Sequence, residues 1–133
     1  MKPARHKKSA RYKRGWNLLK KINGEGGQRI LDLLNEISPD MAKLTIEFPY
    51  GDIYSRPGLD LKTRELITIA SLVTLGHVPM QLRAHIHNAL KAGSTQKEII
   101  EVIMQMSVYA GFPACLNGLL VAKEVFKKEG RSF

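Results

Sequence analysis

Residues 55–87 read SRPGLDLKTRELITIASLVTLGHVPMQLRAHIH: a turn, a helix, a break and a second helix. Arg56-Pro57-Gly58 is turn chemistry. Asp60 stands where it can cap the helix that follows. From Leu66 to Leu75 the chain is apolar except for Thr68, Ser71 and Thr74, so this helix is expected to be buried on all sides. Gly76-His77-Val78-Pro79 breaks it, and Pro79 suits the first turn of the next helix. Polar groups able to do chemistry gather at the two ends: Arg64 and Glu65 early, and Gln81, Arg83, His85 and His87 late. Charges at the ends of a buried helix pair are costly unless paired or used. The stretch is therefore the first place to look for a site.

Working outward, the helical period continues on both sides. The Pro79 helix ends at Ala92, with Gly93 as its stop signal. Thr95-x-x-Glu98 has capping-box spacing, and the helix it opens carries apolar residues around most of its girth from Ile99 to Val108. Gly111-Phe112-Pro113 breaks the chain again before a last helix running to Lys127-Lys128. Upstream, short helices are predicted over 11–22 and 28–37, separated by the breaker Asn23-Gly24-Glu25-Gly26-Gly27. Ser38-Pro39 starts another, which fades near Tyr50-Gly51. No segment alternates with period two for long enough to make a convincing strand. The chain reads as all-α, with six or seven helices.

A length of 133 residues suits one domain with a real core and is too short for two. The expected organisation is a basic N-terminal tail over 1–14 and a single helical domain over 15–133. Seven of the 21 basic residues lie in that tail, with no acid among them. The other fourteen face twelve acidic residues, so most of the net charge of +9 belongs to the tail rather than to the domain. A basic arm can contact phosphates, but its plainer reading is a solvated, frayed terminus. Tyr12 and Trp16 alone make no stacking platform, so nucleic-acid binding ranks low. No apolar run approaches the ~20 residues of a bilayer span, and the N-terminus lacks the apolar core of a secretory signal, which argues against a membrane protein. The single Cys115 cannot form an internal disulfide, which fits a reducing cytoplasm. Two helices look apolar on more than one face. A small domain cannot bury that much within itself, so subunit contacts are expected; the plainer reading is a helix central to the monomer, and both can apply.

The order and spacing of five fragments resemble the carboxymuconolactone decarboxylase family, which shares its fold with the AhpD-type alkylhydroperoxidases. They are Ser55-Arg56-Pro57-Gly58-Leu59-Asp60, Thr63-Arg64-Glu65-Leu66, Gln81-Leu82-x-x-His85-x-x-x-Ala89-Leu90, Gly93-x-Thr95-x-x-Glu98-Ile99-x-Glu101 and Tyr109-x-Gly111-Phe112-Pro113. The resemblance spans roughly residues 44–126. It implies a helical fold assembled as a homo-trimer or homo-hexamer, and a decarboxylase or peroxidase-like activity without metal. The redox branch of the family places a Cys-x-x-Cys pair ahead of the motif histidine. Counted back from His85, those cysteines would fall at Val78 and Gln81. Thiol–disulfide exchange needs a thiolate and a partner sulfur, so that mechanism cannot run here. Cys115 reads as a small buried apolar residue.

The decarboxylase branch implies a small unsaturated carboxylactone as substrate, an organic acid that needs no cofactor. Gln81 and His85 are four apart and share one helix face, while Arg83 and His87 share another, rotated by about 160°. The motif selects the Gln81/His85 face. A short break at Gly76–Pro79 suits an antiparallel return that could bring Glu65 near His85. His85 and Glu65 are therefore the candidate catalytic residues, with Gln81, Arg56, Arg64, Arg83 and Tyr109 as candidate substrate contacts. Arginine suits a carboxylate because its planar guanidinium binds it with two parallel hydrogen bonds. Duller explanations exist for each: a hydrogen-bonded core histidine, a Glu65 paired with Arg64 or capping a helix end, an exposed Gln81, and a Tyr109 half-buried in the core. His77 and His87 read as surface residues. The four histidines at 6, 77, 85 and 87 lack the i, i+4 spacing that two helical metal ligands need. The alternative function is a non-catalytic or stress-related helical oligomer that keeps the fold.

Overall fold

The structure, a computed structural model, describes residues 7–131; Lys2, Arg5 and His6 of the expected tail lie outside them. The described residues form six α-helices and one π-helical segment, with no strand among them. None of these helices is long and apolar enough to cross a membrane. The chain divides into two compact units after Gly58.

The first unit holds α1 (Ala10–Ile37), α2 (Pro39–Thr45) and the π-helical segment Ile46–Tyr54. The two helices expected before residue 38 run on as one. Their break shrinks to Asn23, whose Oδ1 accepts the Gly26 N–H at 3.1 Å and so recaps the second half. Ser38 caps α2 as expected, taking the Met41 N–H at 3.3 Å, with Pro39 at the first helical position. The chain does not fade at Tyr50-Gly51. It winds on to Tyr54 in the wider π turn, and Pro49, which has no N–H to give, falls within the first turn of that segment.

Two glycines let α1 and the π segment meet backbone to backbone. A methyl group at Gly15 would stand 2.7 Å from the Gly51 nitrogen, and one at Gly51 would run into the Arg11 carbonyl. The same crossing accounts for part of the basic tail. Arg11 donates from Nε to Asp52 Oδ1 at 3.2 Å and places Nη1 3.0 Å from Glu47 Oε2. Arg14 donates to the Gly51 carbonyl at 2.7 Å. These two arginines fasten the start of α1 instead of fraying in solvent.

The second unit holds α3 (Leu61–Leu75), α4 (Pro79–Lys91), α5 (Gln96–Ala110) and α6 (Phe112–Lys128). The local signals act as read. Asp60 Oδ1 accepts the Thr63 N–H at 2.8 Å. Gly76 ends α3 in the left-handed region, at φ 78°. Thr95 and Glu98 exchange both capping-box hydrogen bonds, each at 3.0 Å. Ile69, Val73, Leu82, Ile86, Ile99, Ile103 and Phe126 fill the core. Gly118 keeps α6 close: a methyl there would meet Val73 and Ile103 at 3.0 Å.

The expectation that α3 is buried on all sides fails within this chain. Ile69 and Val73 are enclosed, but Ile67 is 52% exposed and Leu75 is similar. The same holds for α5, where Ile99 and Ile103 point inward while Met104 and Val108 are exposed. A four-helix unit of this size has one interior, so a helix apolar all round can bury only the side that faces it.

Candidate active site

The Gly76–Val78 turn sends α4 back along α3, and this return brings Glu65 and His85 together. The two side chains are 2.8 Å apart, from His85 Nδ1 to Glu65 Oε2. Glu65 is 0% exposed, and its other oxygen, Oε1, has no hydrogen-bond donor. The His85 side chain is 18% exposed. An ionised carboxylate only accepts hydrogen bonds, so against an ionised Glu65 the donor of this contact is His85 Nδ1–H. With Nδ1 engaged by Glu65, the second titratable atom of the ring is Nε2. A buried carboxylate is costly unless it is partnered. Glu65 thus has a partner in His85, a contact that the plainer reading of His85 as a hydrogen-bonded core histidine also expects.

The ground beneath the pair is tied down. Lys62, one turn ahead of Glu65, reaches Glu98 Oε2 at 2.8 Å and so joins the starts of α3 and α5. Lys62 first, and then the Thr95 N–H, hold the Glu98 carboxyl below its ordinary range. The Asp60 carboxyl is likewise depressed, by hydrogen bonds from the Thr63 hydroxyl and backbone N–H.

The other expected residues are dispersed. Gln81 lies one turn before His85 on the same helix face and is exposed. Arg83 donates from Nε to Glu124 Oε2 on α6, at 2.8 Å. Arg64, on α3, donates from Nε to the Leu59 carbonyl at 3.2 Å. Tyr109 is 79% exposed and so is not the half-buried core aromatic of its plainer reading. Arg56 belongs to the first unit, where its backbone N–H donates to the Ile53 carbonyl at 3.1 Å. His77 is exposed, and its Nδ1 meets the Leu75 carbonyl at 2.9 Å. Cys115 is buried in the core of the second unit and is a free thiol. Among the described residues, no three His, Cys, Asp or Glu side chains are gathered where they could hold a metal ion.

Three residues of this neighbourhood escaped the sequence reading. Glu124 and Glu129 hold Arg83 and His87, so His87 is a half-buried partner and not a plain surface residue. Both glutamates lie about forty residues away on another element, and helical periodicity carries no signal of such a contact. Asn88 is 1% exposed, with an unpartnered amide oxygen, one turn beyond His85. Its spacing of three from His85 was legible; its burial was not. A small pocket between Val73, Gly76, Pro79, Leu82, Gly118 and Val121 is apolar and includes neither member of the Glu65–His85 pair.

The sequence model of the Carboxymuconolactone decarboxylase family matches residues 39–124, a span that contains both Glu65 and His85. The chain is 39% identical over 121 residues to the 4-carboxymuconolactone decarboxylase of Acinetobacter baylyi, 90% of either protein. It is 37% identical over 97 residues to an uncharacterised 15.0 kDa protein of Paracoccus denitrificans, 72% of either. Over 82 residues it is 33% identical to the nitrosuccinic acid decarboxylase of Metarhizium robertsii, 62% of this chain and 57% of that one.

Proposed function

The chain belongs to the carboxymuconolactone decarboxylase family, and on that premise we propose that it decarboxylates a small unsaturated carboxylactone without a cofactor. Two relatives of different named substrate are both decarboxylases, which supports the reaction class more strongly than any one substrate. The observation that carries the reading is the contact of the buried Glu65 carboxylate with His85 Nδ1.

In this reading the bond from the ring carbon to the carboxylate breaks and carbon dioxide leaves. The electron pair passes through the ring alkene into the lactone carbonyl, giving a dienolate. The substrate is thus its own electron sink. His85, protonated on both nitrogens, delivers the Nε2 proton to the dienolate carbon. Glu65 keeps the Nδ1 proton in place and stabilises the imidazolium before transfer. Solvent then restores the proton to Nε2, which the partial exposure of His85 permits. Gln81, on the same helix face, holds the substrate, and Arg64 offers a cation on the helix that carries Glu65. Arg83, in contact with Glu124, is a further candidate cation. The departing carboxylate sits in the driest part of the site, where its charge is least stabilised.

The reading includes a closed homo-oligomer, a trimer or hexamer. Its support is the exposed apolar set Met104 and Val108 on α5 and Phe112, Leu116 and Leu120 on α6. The test of the activity is direct. The purified protein, dialysed against a chelator, is given 4-carboxymuconolactone and carbon dioxide release is followed. Turnover is expected; a folded protein inert toward unsaturated carboxylactones would overturn the reading.

A further inference from the structure

We propose a second ligand site in the first unit, a cleft that takes a small aromatic acid bearing a hydroxyl group. The cleft has a volume of about 630 Å³, within the range of small-molecule sites. It opens between the two halves of α1 and the start of α2. Its α1 walls precede Pro39, where the family match begins, and it shares no residue with the Glu65–His85 pair.

Three features define what fits. Tyr12 and Trp16 line the cleft together with Leu31, an apolar and aromatic wall for a flat ring. Burial first, and then the negative charge of Glu47, hold the Tyr12 phenol above its ordinary range, so the wall stays uncharged. Among the charged residues that line the cleft, Lys7, Lys8 and Lys43 outnumber Asp40 and Glu47, which favours an anionic ligand over a cationic one. Lys8 already stands over the Tyr12 ring, its Nζ 4.9 Å from the centroid, where it can meet a carboxylate attached to a stacked ring.

The third feature is Glu47, which is 3% exposed. Its Oε2 is met by Arg11 at 3.0 Å, but its Oε1 is buried with no hydrogen-bond donor. Lys43 Nζ stands 3.6 Å from that oxygen, near enough to offset its charge and too far to donate to it. Lys43 is mostly exposed, and its flexible chain can turn outward to an incoming carboxylate. The ligand hydroxyl then donates to Glu47 Oε1, which has no donor of its own. A hydrogen bond to a buried charge separates ligands that have the donor from those that lack it.

Trp16 is the single tryptophan of the chain, so its emission reports on this cleft. The experiment titrates the full-length chain with 4-hydroxybenzoate and with benzoate, checked by calorimetry. Saturable quenching by 4-hydroxybenzoate is expected, with benzoate weaker by about tenfold or more. Lys8→Ala should weaken both acids. His85→Asn should leave both affinities unchanged, which keeps this test independent of the decarboxylase reading. No saturable change at millimolar ligand, equal affinity for the two acids, unaltered binding by Lys8→Ala, or loss of binding in His85→Asn would each overturn the proposal. A Trp16 emission that varies with protein concentration and ignores both acids would also overturn it, marking the cleft as a contact between copies of the chain.

Discussion

Glu65 Oε2 and His85 Nδ1 lie 2.8 Å apart on consecutive helices, with the carboxylate wholly withdrawn from water. The contact engages Nδ1 of the imidazole. It also separates two effects that a single substitution can tell apart. Glu65→Gln keeps an oxygen to accept from Nδ1 and removes the charge. Turnover should fall by about tenfold or more, equivalent to ~1.4 kcal/mol of barrier, with helix content unchanged by circular dichroism. Wild-type turnover in a folded Glu65→Gln protein would mean that the charge plays no part in the chemistry.

Cys115 is buried among apolar side chains, and there is no second cysteine in the chain for it to pair with. Cys115→Ala should leave turnover within a few-fold of wild type. If the folded variant were inactive, a thiol step would have to replace the proton-transfer account.

The crossing of α1 and the π segment depends on missing side chains. Gly15→Ala forces a methyl group against backbone atoms, which cannot move aside as a flexible side chain can. The expected cost is about 1–3 kcal/mol, read as a drop of several degrees in the thermal midpoint. A midpoint equal to wild type would show that the crossing is looser than the structure describes.

Two depressed carboxyls cap helices at the edge of the site, Asp60 on α3 and Glu98 on α5. Their ordinary values are 3.8 and 4.5, and folding lowers both. The stability they contribute is therefore present above those ordinary values and is lost as pH falls through the lower, folded ones. Asp60→Asn keeps a capping oxygen without the charge. Combined with Glu98→Gln, it should flatten the decline of the thermal midpoint on acidification below about pH 4.5. Were the double variant to lose stability as steeply as the parent, other carboxylates would be responsible.

What could be read beforehand divides by range. Ser38, Asp60, Gly76 and the Thr95–Glu98 box act within a few residues of themselves, and each does in the structure what its position in the sequence implies. The break at Asn23 was legible as a break but not as a single residue, because its closure depends on the Asn23–Gly26 hydrogen bond. The π segment was missed, since the apolar pattern of Ile46–Tyr54 does not distinguish a turn of one width from another. Resemblance pointed to Glu65 and His85, and the short Gly76–Val78 turn made their meeting plausible. The engagement of Arg83 by Glu124 and of His87 by Glu129 depends on how α6 packs, which no local pattern encodes.

The central claim is that the face of α4 bearing His85 does the chemistry and the face bearing His87 does not. Each histidine meets a glutamate through Nδ1, His85 at Glu65 and His87 at Glu129. Asparagine keeps a donor near the Nδ1 position and deletes Nε2, so His85→Asn and His87→Asn make a matched pair. The measurement is turnover of 4-carboxymuconolactone by both variants and wild type under identical conditions. His85→Asn should lose about 10²–10⁴-fold in rate, the usual cost of a positioned general acid. His87→Asn should remain within a few-fold of wild type. Equal losses in the two, or a larger loss from His87→Asn, would contradict the account.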